Sequence, residues 1–288
     1  MNFFNILSHL AEVNPDVAGR LDTRRAVFNS ITRVSKRTAL AAAPALLASF
    51  FNKAYAGATP GDAKEIFIYA LKLEQLEADF YNKMIAKAAT FATASTGDQD
   101  AIRQIARHEA AHVSLLTAII NGIGGTPTTG NTFKRATFDA LTSFQDQLNT
   151  AQLLEDTGVR AYKGRATDLQ GLSDITIDKA TYNPLETALR IHSVEARHAA
   201  QIRMMRNALI PAASNTTPWI NGNGDLDSEN SYKGAIPEST TLQAGVNLIG
   251  ANAITPNTTY SPMDAQASFD EVLTPAEVLG LVGPFIGA

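Results

Sequence analysis

The chain has 288 residues, 45% of them hydrophobic and 18% charged, which suits a globular protein with a well-packed core. The formal net charge of −4 gives no indication of a nucleic-acid surface, so no nucleic-acid partner is expected. Because cysteine is absent, disulfides, thiolate metal sites and a cysteine nucleophile are excluded, and any metal must be bound by oxygen and nitrogen.

Residues 1–56 have the composition of a targeting segment. Basic residues between positions 20 and 37 precede the apolar run TALAAAPALLASFF at 38–51, and AYA at 54–56 offers small residues for cleavage. The paired arginines in DTRRAVF resemble a twin-arginine signal, although the full pattern is not met. The apolar run is too short to cross a bilayer, so no integral membrane span is expected. We predict export to the periplasm, and the alternative is an amino-terminal arm kept on a cytoplasmic protein.

Residues 57–209 are predicted to form one all-α domain, a four-helix bundle. Apolar positions recur with a helical period from residue 62 to residue 209, and polar and glycine-rich stretches divide them into four segments. The predicted helices cover about 62–91, 98–120, 135–165 and 184–209, with Asp98 and Asn183 as amino-terminal caps and NGIGG, residues 121–125, as the stop of the second helix.

The connections between these helices predict their arrangement. A short turn joins the first two helices, which should therefore pair antiparallel. About fifteen residues, NGIGGTPTTGNTFKR, join the second helix to the third, and in extended form they reach roughly 50 Å. A helix of about 26 residues is roughly 39 Å long. The connection is therefore long enough to run the length of the bundle as a crossover.

Charged residues lie on the apolar seam of each predicted helix, the line of positions that should face the bundle interior. The second and fourth seams each carry a Glu-x-x-His pair in the middle. The first and third each carry a glutamate followed seven residues later by a tyrosine, so the chain contains a faint internal duplication. The residues are Glu74, Glu109, His112, Glu155, Glu195 and His198, with Tyr81 and Tyr162 as the tyrosines.

Burying these groups without partners would cost several kcal/mol for each carboxylate. Two divalent cations would balance four carboxylates and two neutral imidazoles, so the pattern predicts a dinuclear metal site. Residues three apart lie on one helix face, which lets a carboxylate and an imidazole reach the same pair of ions. The alternative is a metal-free polar core.

This ligand set, in its order along the chain, resembles that of the ferritin-like carboxylate proteins over about residues 62–209. ALKLEQLEADFY, residues 70–81, and SFDEVLTPAEVLGLVGPFI, residues 268–286, are similar to exported ferritin-like domain proteins that include desiccation-related proteins. The resemblance implies two iron or manganese ions and an oxidoreductase of ferroxidase, peroxidase or manganese-catalase type in oxidative or desiccation stress. Dioxygen, peroxide or ferrous iron would be the small substrates. The resemblance leaves open whether copies of the chain form a homo-oligomer.

The resemblance also implies a role for each ligand, with no catalytic residue beyond the metal centre. The two bridging ligands would be Glu109 and Glu195. The terminal nitrogen ligands would be His112 and His198. The terminal carboxylates would be Glu74 and Glu155.

Other residues near the seam have more than one interpretation each. Glu77 lies on the seam, but its counterpart in the duplication is a glycine, so it is either a neighbour of the ligands, an optional ligand, or a partly solvated residue at the seam edge. Tyr81 and Tyr162 are either core residues with a hydrogen-bonded hydroxyl or participants in redox chemistry. His108 and His192 are expected at the surface or beside a ligand.

Residues 210–288 are predicted to be a loop-rich extension packed on the bundle, with one short helix near 273–282. Trp219 and Phe285 are expected to contact the bundle. NGNGDLDSENS, residues 221–231, weakly resembles a calcium loop but lacks the glycine at its sixth position, and an ordinary loop is favoured.

Two classes of function follow from the sequence. An intact set of six ligands favours a redox enzyme. The long extension and the lack of a visible substrate motif favour a non-catalytic structural or stress protein that retains the metal site.

Overall fold

The computed structural model describes residues 63–209, 217–220, 230–243, 246–249 and 260–287. The predicted targeting segment, residues 1–56, and most of the loop at 221–231 lie outside the described residues. The helices are α1 (Ala63–Ala86), α2 (Ala88–Phe91), α3 (Thr96–Gly122), α4 (Arg135–Asp139), α5 (Phe144–Leu169), α6 (Pro184–Leu209), α7 (Pro262–Gln266) and α8 (Pro275–Val282). Within these ranges no helix combines the length and the apolar character needed to cross a membrane.

Short strands and single turns of 3₁₀ helix complete the structure. The strands are β1 (Thr132–Phe133), β2 (Ile175–Ile177), β3 (Ala180–Tyr182), β4 (Leu242–Gln243), β5 (Val246–Asn247) and β6 (Ile286–Gly287), and the 3₁₀ turns cover Asn230–Tyr232 and Gly283–Phe285. They pair antiparallel in three two-stranded sheets, β1 with β6, β2 with β3 and β4 with β5. The architecture is therefore an all-α bundle with minor strands, as predicted.

Two hydrophobic clusters in the core reveal the direction of the four long helices. One cluster combines the start of α1 with the end of α3, as in Leu71 and Ile120, and the end of α5 with the start of α6, as in Leu169 and Ala188. The other cluster contains the opposite ends of the same helices. Hence α1 pairs antiparallel with α3, and α5 with α6. Because α3 and α5 end in the same cluster, the connection between them must run back along the bundle, which confirms the predicted crossover.

Hydrogen bonds at the helix starts confirm one predicted cap and correct the other. Asn183 caps α6, since its Oδ1 accepts from the backbone N–H of Glu186 at 3.0 Å. Asp98 is not the cap of α3. Ser95 is, because its Oγ accepts from the backbone N–H of Asp98 at 3.1 Å, so the helix begins at Thr96.

The first and third predicted helices are each interrupted. The first breaks at Lys87, whose φ and ψ of −80° and 68° are not helical. The third ends at Asp139 and restarts at Phe144, because Ser143 and Asp146 form a capping box that starts a new helix. Leu141 therefore lies outside α5. The ammonium of Lys87 donates to the Leu141 carbonyl at 2.7 Å, which joins the two breaks.

The end of the chain packs on the crossover connection. Strand β6 pairs with β1, with Thr132 opposite Gly287, and the ring of Phe285 stacks on Phe133 with centroids 5.2 Å apart. Phe285 therefore contacts the bundle as predicted, whereas 54% of Trp219 is exposed. The predicted short helix near 273–282 corresponds to α8.

One arginine fastens the extension to α5. Arg160 is completely buried, and its guanidinium donates to backbone carbonyls of the extension, with Nε also 2.8 Å from a carboxylate oxygen of the buried Glu238. The accepting carbonyls belong to Ser231, Lys233, Ile236, Glu271 and Val272. The planar guanidinium offers five N–H donors, and here each of its nitrogens is used.

We expect Arg160→Met to destabilise the protein by about 3 to 5 kcal/mol, because it leaves Glu238 buried without its partner. Arg160→Met combined with Glu238→Gln should recover part of that loss. Urea unfolding measures both values. Arg135→Met is the matched control: its ion pair with Asp139 is exposed, and such pairs contribute at most about 1 kcal/mol. A loss for Arg160→Met as small as that of the control would contradict the prediction.

Candidate metal centre

Six side chains from the four long helices meet in the middle of the bundle, between the two hydrophobic clusters. The four glutamates are completely buried, and the two histidines are 9% and 4% exposed. Two groups of four residues each bring one ligand atom per residue within 4.8 Å of the others. The groups are Glu74, Glu109, His112 and Glu195, and Glu109, Glu155, Glu195 and His198. The structure thus brings together all six predicted ligands.

Two of the glutamates belong to both groups, and each turns a different oxygen toward each histidine. Oε2 of Glu109 lies 3.3 Å from Nδ1 of His112, whereas Oε1 lies 2.8 Å from Nδ1 of His198. Glu195 has the same arrangement, with Oε1 3.2 Å from His112 and Oε2 3.9 Å from His198. This geometry suits carboxylates that bridge two ions.

The remaining two glutamates each face one histidine. Oε2 of Glu74 lies 3.0 Å from Nδ1 of His112, and Oε2 of Glu155 lies 3.3 Å from Nδ1 of His198. Each group therefore contains one histidine, one glutamate of its own and two shared glutamates. This is a set of nitrogen and hard oxygen donors suited to iron or manganese.

Several atoms of the cluster lack hydrogen bonds although they are buried. Short distances join some of them, but these contacts do not have the angles of hydrogen bonds. The atoms without a hydrogen-bond partner among the described residues are Oε1 of Glu109, Oε2 of Glu155, both oxygens of Glu195 and Nδ1 of His198. Leaving buried polar atoms unpaired is costly. The residues present therefore fit a pair of metal ions.

The two predicted tyrosines connect the halves of the duplication. The hydroxyl of Tyr81 on α1 donates to Glu155 on α5, and the hydroxyl of Tyr162 on α5 donates to Glu74 on α1, both at 2.5 Å. Burial, followed by the charge of the neighbouring glutamate, raises the pKa of both hydroxyls well above the usual value. Both therefore remain protonated donors that orient a candidate ligand.

Glu77 is a fifth carboxylate of the cluster, with only 3% of its surface exposed. A Cβ placed on Gly158 would lie 3.5 Å from both Oε1 of Glu77 and Oε2 of Glu195, so these two carboxylates fill the space beside the glycine. Burial, then the charges of Glu195 and Glu155, raises the pKa of Glu77 well above its usual range. Its position excludes the interpretation as a solvated residue at the seam edge.

The pKa values of the glutamates follow from burial and from the histidines. Burial raises the pKa of Glu74 to about 8, although the hydrogen bond with His112 opposes the shift. Burial likewise raises the pKa of Glu195 well above its usual value. Burial acts in the same direction on Glu109, but the hydrogen bond with His112 and the close contact with His198 outweigh it and lower the pKa to about 2.

The pKa values of the two histidines in the cluster shift in the direction opposite to the one that burial alone would cause. Burial alone lowers the pKa of His112, but the close contacts of its Nδ1 with three glutamates raise it to about 12. For His198, the negative charge of Glu155 and the close contact with Glu109 overcome burial and raise the pKa to about 11. Without a metal, therefore, protons compensate the charge of the cluster, and metal ions must displace them.

Of the two further histidines, one contacts the cluster. Nδ1 of His108 lies 2.9 Å from Nε2 of His198. Nδ1 of His192 lies 3.0 Å from the backbone carbonyl of Val159, so it donates to the main chain instead. Position on the helix could not separate the two, since the contact of His108 depends on how α3 packs against α6.

An apolar cleft lies beside one of the tyrosines. Its cavity volume is only about 10 Å³, room for about one water-sized molecule, and it is lined mainly by α1, the end of α5 and the start of α6. Tyr162 lines the cleft, and its hydroxyl contacts Glu74. Phe67, Ala70, Ala161 and Ala188 supply part of the apolar wall. The cleft therefore approaches the cluster from the side of Glu74.

Comparison with known proteins identifies one family. The family model described as a ferritin-like domain matches residues 62–208. This match covers more than half of the 288 residues and includes every glutamate, histidine and tyrosine of the cluster. No curated protein matches the chain.

We expect the metal-free protein to lose stability as the pH rises from 5 to 8. The folded protein keeps a proton on Glu74 up to a pKa of about 8, whereas the unfolded chain releases it near 4.5. The stability from protonated His112 and His198 is complete below about 6.5 and is lost toward 11 and 12. Each such group contributes a slope of up to about 1.4 kcal/mol per pH unit. Saturating Mn²⁺ should stabilise more as the pH rises, since metal and protons compete.

Thermal unfolding at pH 5, 6, 7 and 8, after chelation and with added Mn²⁺, measures this dependence. Glu74→Gln should flatten the slope of the metal-free protein, whereas Glu65→Gln, an exposed change on the same helix, should leave it unchanged. A metal-free protein that becomes more stable between pH 5 and 8 would refute the prediction. Below about pH 4.5, protonation of Glu109 should reduce stability again, because its pKa is lowered in the folded state.

We expect Tyr81→Phe and Tyr162→Phe each to weaken metal binding about ten-fold or more, since each removes the donor that orients a candidate ligand. The two losses should be similar, because the two contacts are equivalent. Competition with a chromophoric chelator measures the affinities. Tyr69→Phe is the matched control, as the buried hydroxyl of Tyr69 has no hydrogen-bond partner within the described part of the chain. An effect of Tyr69→Phe equal to that of the other two would argue against a specific role.

Proposed function

Because the chain belongs to the ferritin-like domain family, we propose that it is a dinuclear-metal oxidoreductase that acts on dioxygen or hydrogen peroxide. Two iron or manganese ions would be its cofactors. The observation that carries the proposal is the buried cluster of six candidate ligands, in which several donor atoms have no hydrogen-bond partner among the described residues.

The proposed roles follow the geometry of the cluster. Glu109 and Glu195 would bridge the ions, because each turns one oxygen toward each histidine. The other four residues would hold one ion each, Glu74 with His112 and Glu155 with His198. When bound, iron or manganese would supply the electrons for reduction of dioxygen or peroxide, which ordinary side chains do not provide.

Charge balance supports two divalent ions. The four ligand carboxylates carry −4 when ionised, and two divalent ions carry +4. The fifth carboxylate, Glu77, has a pKa raised by burial and by its acidic neighbours, so it holds a proton and leaves this balance unchanged. Two divalent ions that each gave up one electron would reduce dioxygen to hydrogen peroxide, or hydrogen peroxide to water, and either reduction consumes two protons. The Glu77 carboxyl is a buried proton source near Glu195.

The apolar cleft supports a small substrate. Its wall consists largely of alanine, leucine, isoleucine and phenylalanine side chains, and Tyr162 separates it from Glu74. Dioxygen is apolar and small enough for such a route, whereas a large charged substrate is not. In the ferroxidase form of the proposal, ferrous iron would be the substrate that is oxidised.

The proposal includes a location and a physiological role. The basic and apolar composition of residues 1–56 supports export to the periplasm, through a twin-arginine-like signal. Removal of reactive oxygen species or free ferrous iron there would protect a cell under oxidative or desiccation stress.

A second candidate function is a non-catalytic structural or stress protein. The observation that favours it is the raised pKa of the histidines, about 12 for His112 and about 11 for His198. As imidazolium ions they would neutralise part of the carboxylate charge without any metal. The cluster would then be a polar layer that fixes the register of the bundle.

Elemental analysis of protein purified from its native host separates the two candidates. The enzymatic proposal expects about two iron or manganese ions per chain. Glu109→Gln combined with Glu195→Gln removes both bridging charges with little change in shape and should abolish binding of both ions. Hydrogen peroxide decomposition and ferrous iron oxidation by the double variant should fall to the level of the free metal ion in buffer.

The control is Glu186→Gln, which changes an exposed glutamate on α6 that pairs with Arg190. It should keep both the metal content and the turnover. If the native protein is folded, free of metal and unaffected by the double substitution, the non-catalytic function replaces the enzymatic one. If it binds two ions without turning over peroxide or ferrous iron, the metal site stands and the oxidoreductase activity does not.

A further inference from the structure

We propose that His108 is a positioning residue that holds the ring of His198 with Nδ1 toward the carboxylates, and so strengthens the binding of one ion of the pair. This inference rests on the proposed function, since it concerns affinity for the same two ions. It identifies the two halves of the site as unequal, although the ligands themselves are duplicated.

The ring of His198 is contacted at both nitrogens. On the inner side, Nδ1 lies 2.8 Å from Oε1 of Glu109 and 3.3 Å from Oε2 of Glu155. On the outer side, Nε2 lies 2.9 Å from Nδ1 of His108. The two imidazole rings are nearly parallel, with an interplanar angle of 11° and centroids 5.2 Å apart. Rotation of the His198 ring would break the outer contact.

The chemistry of imidazole makes this contact specific. A neutral histidine has one N–H and one free lone pair, so Nδ1 can bind a metal only when the proton is on Nε2. That N–H then needs an acceptor, because His198 is only 4% exposed. Nδ1 of His108 is the atom within reach. When the proton of His108 is on Nε2, its Nδ1 accepts this N–H and so supports the tautomer of His198 that can bind a metal.

His108 has its own support on the outer side of α3. Its Nε2 lies 2.6 Å from Nε2 of Gln104, and the oxygen of Gln104 accepts from Arg107 at 2.6 Å. An amide can turn either its oxygen or its nitrogen toward the imidazole. His108 can therefore act as acceptor or donor toward His198, according to whether Nδ1 of His198 binds a metal or a proton.

The other histidine ligand has no such support. By the internal duplication, His108 before Glu109 corresponds to Val194 before Glu195. Valine cannot accept a hydrogen bond. Among the described residues, Nε2 of His112 has no hydrogen-bond partner. The duplication is thus broken at this position, and among the described residues only the histidine ligand His198 has a hydrogen-bonding side chain outside the ligand set at its second nitrogen.

Titration of the full-length metal-free protein with Co²⁺, against a competing chelator, tests the inference. Wild-type protein should bind two equivalents. In His108→Ala, one equivalent should bind about 10- to 100-fold more weakly, and the other should keep its affinity. His108→Asn should restore binding to within about three-fold of wild type, because an asparagine amide places a hydrogen-bonding atom near the position of Nδ1.

His192→Ala is the matched control, since His192 lies on α6 near the cluster but bonds to the backbone of Val159. Its Co²⁺ affinities should equal those of wild type. A second measurement separates positioning from general destabilisation. In protein loaded with diamagnetic Zn²⁺, long-range proton–nitrogen spectra should place the proton of His198 on Nε2, and His108→Ala should change that nitrogen shift while circular dichroism stays the same.

Three results would overturn the inference: unchanged affinities in His108→Ala, equal weakening of both equivalents, or an asparagine variant as weak as the alanine variant. In each case wild-type protein still binds two ions, so the proposed function survives. If wild-type protein binds no Co²⁺ at all, both the inference and the dinuclear site are wrong.

Discussion

Burial of five carboxylates and two imidazoles in one layer is the constraint on which the rest of the structure depends. Each ionised carboxylate removed from water costs several kcal/mol unless an opposite charge or a proton compensates it. The layer divides the core, with one hydrophobic cluster at each end of the bundle. Every long helix contributes to the layer, so a shift of any one helix would leave charges without compensation. The arrangement of the four helices and the geometry of the candidate site therefore depend on the same contacts.

The internal duplication explains why the two halves of the charged layer have equivalent ligands. The positions at which the duplication fails explain why the surroundings of the two halves differ. Tyr81 and Tyr162 each orient the glutamate of the other half, which joins α1 to α5. Glu77 occupies space that Gly158 leaves free. The symmetry of the ligands suits two ions of the same kind. The extra carboxylate and the histidine contact near His198 make the surroundings of the two proposed ions different.

Most of the candidate site could be predicted from the sequence, because its residues recur at helical spacing on four long amphipathic segments. Glu109 and His112 lie one turn apart on α3, and that relation is local. The pairing of Tyr81 with Glu155 could not be predicted, since it depends on how α1 packs against α5. The same holds for the contact between His108 and His198.

The differences between the predicted and the observed fold have similar causes. Ser143 and Asp146 form a capping box that has a local sequence signature, so the break before α5 can be predicted from the sequence. The apolar residues that continue through the break favour a single helix instead. The exposure of Trp219 cannot be predicted, because residue type alone does not determine which aromatic residues of a loop reach the core.

The two faces of α5 show what kind of partner the inner cluster requires. On the outer face, the nitrogens of Arg160 all donate to the extension, and the carboxylate of Asp156 accepts from Arg203 and from Tyr232, both at 2.5 Å. The protein itself supplies those partners. On the inner face, Glu155 and the shared glutamates keep oxygens with no hydrogen-bond donor among the described residues. The protein supplies a hydrogen-bond acceptor for every nitrogen of the buried Arg160, so it could also have supplied donors for the inner carboxylate oxygens. The unpaired inner oxygens are therefore better explained as metal ligands than as a defect of packing.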